Sequence, residues 1–146
     1  MMAIRRFELS DLTSIIDIYN KSKLDELANE SAQFELLPLK QDAKRFNALM
    51  ASDIFVYDLG RIVAYGAVLE NEVRALFVGP EARGQGIATQ LLTEMLKGMD
   101  GPVSLCVVES NISAKSLYEK FGFVVTDKFK TEYNGMQVVV NTMATV

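Results

Sequence analysis

The chain has 146 residues, 49% of them hydrophobic, with 15 basic and 19 acidic side chains, a formal charge of −4, one cysteine and no histidine. That length suits a single domain, 1–146, able to bury about two-thirds of its unfolded surface in one core. The missing histidines exclude His-dependent triads and the common zinc sites, the lone Cys106 excludes an intrachain disulfide, and the net negative charge argues against general nucleic-acid binding.

The amino terminus, MMAIRRFELSD, lacks the apolar segment of a secretory signal, and no stretch approaches the roughly 18 apolar residues of a membrane span. A soluble cytoplasmic protein is therefore expected, with no metal and no membrane or nucleic-acid partner. Ile4 to Glu8 reads as a first strand. Ser10 or Asp11 caps a helix whose apolar positions Leu12, Ile15, Ile16 and Tyr19 recur at helical spacing. Lys23 to Leu39 shows no clean period and reads as partly helical; Gln41 to Ala51 is a short second helix.

Three β-like runs follow, Ile54 to Leu59, Ile62 to Leu69 and Val73 to Val78, joined by the short turns Asp58-Leu59-Gly60-Arg61 and Leu69-Glu70-Asn71-Glu72. They predict an antiparallel meander. Ile87, Leu91, Leu92, Met95 and Leu96 mark a helix ending near Gly98 or Gly101, and Val103 to Val108 is a fifth strand. Ser110 or Asn111 caps the next helix, which Gly122 ends. Phe123 to Lys130 and Met136 to Met143 flank Asn134-Gly135, a strong hairpin signal. The fold class is thus α/β of mixed type: a mixed, mostly antiparallel sheet of about seven strands flanked by about four helices.

VGPEARGQGIAT, residues 78–89, places three glycines between a strand and a helix. Such a corner collects unpaired backbone N–H groups and the positive end of a helix dipole, where an anion is stable. Arg83 adds a permanent charge, and Pro80 keeps Gly79 out of helical geometry. A nucleoside triphosphate loop needs Lys-Ser or Lys-Thr where Gln85 and Gly86 stand; a dinucleotide fingerprint needs glycine where Thr89 stands. Neither fits.

LFVGPEARGQGIATQLL, residues 76–92, resembles the acetyl-CoA signature of the GNAT (Gcn5-related) N-acetyltransferases. The segment Asn111-x-x-Ala114-x-x-Leu117-Tyr118-x-Lys120-x-Gly122-Phe123 is similar to that family's fifth-strand-to-helix segment. One position departs: Glu81 stands where the stricter motif has Gln or Arg, which leaves the backbone donors unchanged. The resemblance implies that acetyl-CoA lays its pyrophosphate over Arg83, Gly84, Gln85, Gly86, Ile87 and Ala88. Its pantetheine arm would run as an added strand beside Phe77 and Val78, with Asn111 at the other lip of the gap.

The same resemblance implies direct acetyl transfer to a primary amine, small or protein-borne. Tyr118 is then the acid for the departing thiolate, though its helical spacing with Leu117 and Phe121 also suits a core residue. Glu72 is the first choice of base, with Glu70 and Glu109 behind it, and the Val78 N–H is the oxyanion donor. Cys106, inside an apolar strand without basic neighbours, reads as a buried structural residue rather than an acyl carrier. Residues 23–37 hold four carboxylates and one lysine, either a lure for a cationic amine or a solvated face. Phe34, Leu36, Leu37 and Leu39 line a pocket or join the core. The apolar run MQVVVNTM makes the last strand a sheet edge or a homodimer contact. The alternative function is a CoA-binding sensor or partner module without turnover.

Overall fold

The computed structural model describes residues 3–146. Seven strands form one sheet in the order β1-β2-β3-β4-β5-β7-β6. They are β1 (Ile4–Arg6), β2 (Asp53–Asp58), β3 (Ile62–Leu69), β4 (Glu72–Val78), β5 (Ser104–Val108), β6 (Val124–Tyr133) and β7 (Met136–Ala144). All neighbouring pairs are antiparallel except β4 with β5. Among the described residues no helix is long and apolar enough to cross a membrane.

Four α-helices cover the sheet: α1 (Leu12–Ser22), α2 (Ala43–Met50), α3 (Ile87–Lys97) and α4 (Ile112–Lys120). On one face Ile15, Ile18 and Tyr19 of α1 and Leu49 of α2 pack with Ile54, Val56, Tyr65 and Ala67. On the other, Leu92 and Met95 of α3 and Tyr118 of α4 pack with Val73, Leu105, Val107 and Met143. The alternation of side chains along each strand divides the apolar residues between these two layers. Gly66 in β3 lets Met95 approach, since a Cβ there would lie 2.5 Å from the Met95 sulfur.

Local chemistry explains the boundaries. Asp11 does not cap α1 with its side chain. It accepts the Glu8 N–H at 2.8 Å and takes the Arg5 guanidinium through two bonds of 2.9 Å. Asp42 caps α2 by accepting the Arg45 N–H. Glu70 and Asn71 both have positive φ, 49° and 62°, as do Asn134 and Gly135, 49° and 82°. Both hairpins therefore turn in the left-handed pair conformation that suits strand twist.

Lys23 to Leu39 is partly helical, as expected: a 3-10 turn, Lys23–Leu27, leads into an irregular loop ending at Pro38, before a second 3-10 turn begins at Leu39. That loop is tied to the β6–β7 hairpin. The Leu37 N–H donates to the Tyr133 hydroxyl at 2.8 Å and Asn134 Nδ2 donates to the Glu35 carbonyl at 3.0 Å. Phe34 and Leu37 pack with Leu27, Tyr133 and Val138, and Leu39 joins the α1 core. The expectation that the last strand is an edge is corrected here: β7 lies between β5 and β6, so its apolar run is paired on both sides. The border strand on that side is β6.

Candidate active site

β4 and β5 pair only at Glu72 with Ser104 and Val73 with Leu105, and then part. A bulge at Arg74, where the β3 register shifts between Ala67 and Val68, accentuates the divergence. Beyond it the Gly79 N–H bonds to the Val63 carbonyl at 2.8 Å. Because successive amides of a strand point to opposite sides, those of Leu76 and Val78 face away from β3 into the gap, whereas that of Phe77 points to β3. The Phe77 ring packs edge-on against Tyr19, with centroids 5.4 Å apart.

After Val78 the chain makes a 3-10 turn, Pro80–Ala82, and then the glycine corner. Gly84 and Gly86 have φ of +75° and +77°, and a Cβ on either would meet nothing within 4 Å. Glycine is needed there for backbone conformation, and the space beside it stays open. Helix α3 starts at Ile87 with no side-chain cap, and the Gln90 N–H is the first to reach back, to the Gly86 carbonyl. The amides of Ile87, Ala88 and Thr89 thus have no carbonyl of their own helix to bond.

Gap and corner open onto one cavity of about 770 Å³. Phe77, Val78, Arg83, Gly84, Gly86, Ile87, Ala88, Asn111 and Tyr118 all line it; Gln85 does not. Asn111 sits on the lip opposite the glycines. Its Oδ1 accepts the Ala114 N–H at 3.4 Å as the cap of α4, which leaves its Nδ2 for another partner. Tyr118 packs its ring against Phe123 at 5.8 Å in the core and also borders the cavity. Burial pushes its phenol above the ordinary value, and the Glu26 carboxylate adds to this.

Arg83 is engaged across the mouth rather than free beside the glycines. Its Nε donates to the Val78 carbonyl at 3.1 Å and its Nη1 to Asp25 at 2.6 Å, while Ser22 Oγ donates to the same carbonyl.

The three carboxylates considered as bases do not reach the cavity. Glu72, at the closed end of the β4–β5 pairing, holds Arg74 at 2.7 Å and is not among the lining residues. Glu70 is exposed in the β3–β4 turn, and Glu109 accepts from Asn141 and faces Lys128. The carboxylates that do line it, Asp25 and Glu26, lie on the 3-10 turn. Only the acidity of that segment signalled them in the sequence.

Cys106 also departs from expectation, being exposed rather than buried. Leu105 and Val107 point into the α3–α4 layer, so the residue between them faces the opposite side, where it lines the same cavities as Glu26. Desolvation raises its thiol above the usual range, and Glu72 adds to the shift. A second cavity of about 270 Å³ adjoins the first and shares Lys23, Glu26, Arg45, Cys106 and Val107 with it.

Comparison with known proteins points to one family. Residues 20–144 match the family model described as acetyltransferase (GNAT) domain. The catalytic subunit of the N-terminal acetyltransferase B complex of Arabidopsis thaliana is 29% identical over 140 residues, 92% of this chain and 80% of that protein. The peptidyl-lysine N-acetyltransferase YjaB of Salmonella typhimurium is 28% identical over 134 residues, 90% of each chain. The fold also superposes on yncA of Salmonella typhimurium, solved with acetyl-CoA, at a TM-score of 0.70 and 18% identity over 99% of this chain and 92% of that one. A seven-stranded sheet that parts beside a glycine corner, on a chain whose greater part matches one family model, places this protein in the GNAT acetyltransferase family.

Proposed function

We propose that the larger cavity holds acetyl-CoA and that its acetyl group passes directly to a primary amine in a ternary complex. The observation that carries this is the parting of β4 from β5 after Val73, which opens an unpaired strand edge onto the same cavity as the glycine corner. The free amides from Gly84 to Ala88 suit the pyrophosphate. The edge groups of Leu76 and Val78, beside Phe77, suit the amide-bearing pantetheine arm as an added strand, with Asn111 opposite.

An amine adding to the thioester carbonyl creates an oxyanion, for which the Val78 N–H is the preorganised donor. Tyr118, kept protonated by burial, offers its O–H to the sulfur as the carbon–sulfur bond breaks. Full transfer from so weak an acid is uphill, so the phenol acts as a hydrogen-bond donor through which the proton released by the amine returns. Glu26, bordering both cavities, replaces Glu72 as the carboxylate placed to take that proton. The raised Cys106 thiol is a poor nucleophile at neutral pH, which supports transfer without an acyl-enzyme. The names of the two relatives support an amine on a protein or peptide.

Thiol release from acetyl-CoA, measured with a panel of amines, tests the proposal. Release that depends on an added amine is expected. Stabilisation by CoA with no release for any amine would favour the sensor module and reject transfer.

A further inference from the structure

The second cavity holds two cations within an acidic protein. Lys23 and Arg45 both line it, Lys23 paired with the lining Glu26 and Arg45 with Asp42 beside it. The Lys23 side chain is only 12% exposed, and its Nζ lies 3.2 Å from Glu26 and 5.1 Å from the Tyr133 ring centroid. Arg45 places its guanidinium carbon at the same distance, 5.1 Å, from that ring and spends Nη1 on Asp42. An ammonium has three donors and a guanidinium five, so both cations keep donors in reserve.

Tyr19 supplies an independent sign of a missing polar partner. It is 4% exposed, and its hydroxyl is sealed from solvent without a hydrogen bond. Arg45, Tyr133, Glu26 and Asp42 all lie within its electrostatic reach. Sealed hydroxyls are usually paired, so an orphan beside two under-used cations marks a place for an acceptor oxygen.

Two other carboxylates of residues 23–37 are engaged elsewhere. Asp25 is bound to Arg83 and Glu30 to the Ser110 hydroxyl. Tyr133, which lines the cavity, is held at the hairpin end by the Leu37 N–H donating to its hydroxyl.

We propose that the amine acceptor also carries a carboxylate, received by Lys23 and Arg45 beside Tyr19 while Glu26 faces the amine. The recognised chemistry is a primary amine and a carboxylate in one small unit. A free amino acid supplies it, as does an acidic residue at the amino-terminal end of a peptide. This inference rests on the acetyl-transfer reading and names the acceptor class for the same site.

Matched acceptors test it. Thiol release is compared for free amino acids against their amides, and for peptides beginning with Asp or Glu against the Asn or Gln counterparts. The carboxylate form is expected to lead by about tenfold or more in kcat/KM, mainly through KM, as charge-assisted hydrogen bonds allow. The arm showing that lead identifies the source. In Lys23→Met and Arg45→Gln, checked by melting, the lead shrinks toward unity.

In parallel, the N-acetylated carboxylate and its amide are titrated into the CoA-loaded protein by calorimetry. Saturable binding of the carboxylate alone is expected. Equal kcat/KM for every matched pair overturns the inference and leaves acetyl transfer standing. Carboxylate binding without release from any amine supports the anion site and rejects transfer; absence of both overturns both.

Discussion

Replacing Gly86 by alanine separates backbone strain from ligand binding, because Gly60 provides a matched control. Gly60 and Gly86 have φ of +92° and +77°, and a Cβ on either meets nothing within 4 Å. Gly60 lies in the β2–β3 turn; Gly86 lines the large cavity. A left-handed conformation costs a non-glycine residue about 1–2 kcal/mol, partly offset by about 0.4–1 kcal/mol from the stiffer unfolded chain. Both variants should therefore lose about 1 kcal/mol, a fall in Tm of about 3–5 °C. Only Gly86→Ala puts a methyl where the pyrophosphate is proposed to meet the amides. With CoA at a hundred times the wild-type Kd, binding stabilises by about 2.7 kcal/mol, and a tenfold weaker site gives only about 1.4 kcal/mol. Thermal melts with and without CoA, supported by calorimetric titration, read this directly. Gly60→Ala should keep the full ligand-induced shift and Gly86→Ala should lose half of it or more. Equal shifts would refute the amide cradle.

Tyr118→Phe should keep the melting behaviour, because the ring contact with Phe123 survives, while kcat falls by about 10²–10⁴; an unchanged kcat removes Tyr118 from the chemistry. Glu26→Gln should lower kcat about tenfold or more, whereas Glu72→Gln, outside the cavity, should stay within about twofold, and steady-state kinetics showing the reverse order would restore Glu72 as the base. The Arg5 guanidinium holds the Asp11 carboxyl below its usual range. The stability this confers is present above the ordinary value of about 4 and is lost as pH falls through the lowered folded value. Urea melts from pH 5 to pH 2 should show a shallower loss for Asp11→Asn than for wild type.

The strands were legible as apolar runs bounded by turn signals, and β3 begins and ends where Ile62 and Leu69 suggested. The glycine corner was legible because positive φ and open backbone demand one residue type at Gly84 and Gly86. Pairing between distant strands was not. Nothing local in Met136 to Met143 says that it slides between β5 and β6, a consequence of long-range register. Which face Cys106 presents follows from that same placement. Lys23 and Glu26 were hidden for another reason. A single 3-10 turn has no periodicity to read, and its position depends on contacts with Tyr133 and Arg83 far along the chain. Arg45 looked like any exposed helix residue, since only tertiary structure brings it over the Tyr133 ring.

At the border of the sheet, β6 exposes nine of its ten residues, with Val124, Val125 and Phe129 among the large apolar ones. Such a rim would recruit further strands if it were flat and neutral. Thr126 is instead squeezed out of register, between Val125 opposite Met143 and Asp127 opposite Thr142, and Asp127, Lys128, Lys130 and Glu132 follow it. A kinked margin studded with both signs of charge frustrates indefinite stacking of one copy on the next. The chain thereby keeps an oily last strand paired along both its edges and shows its neighbours a poor template for fibril growth.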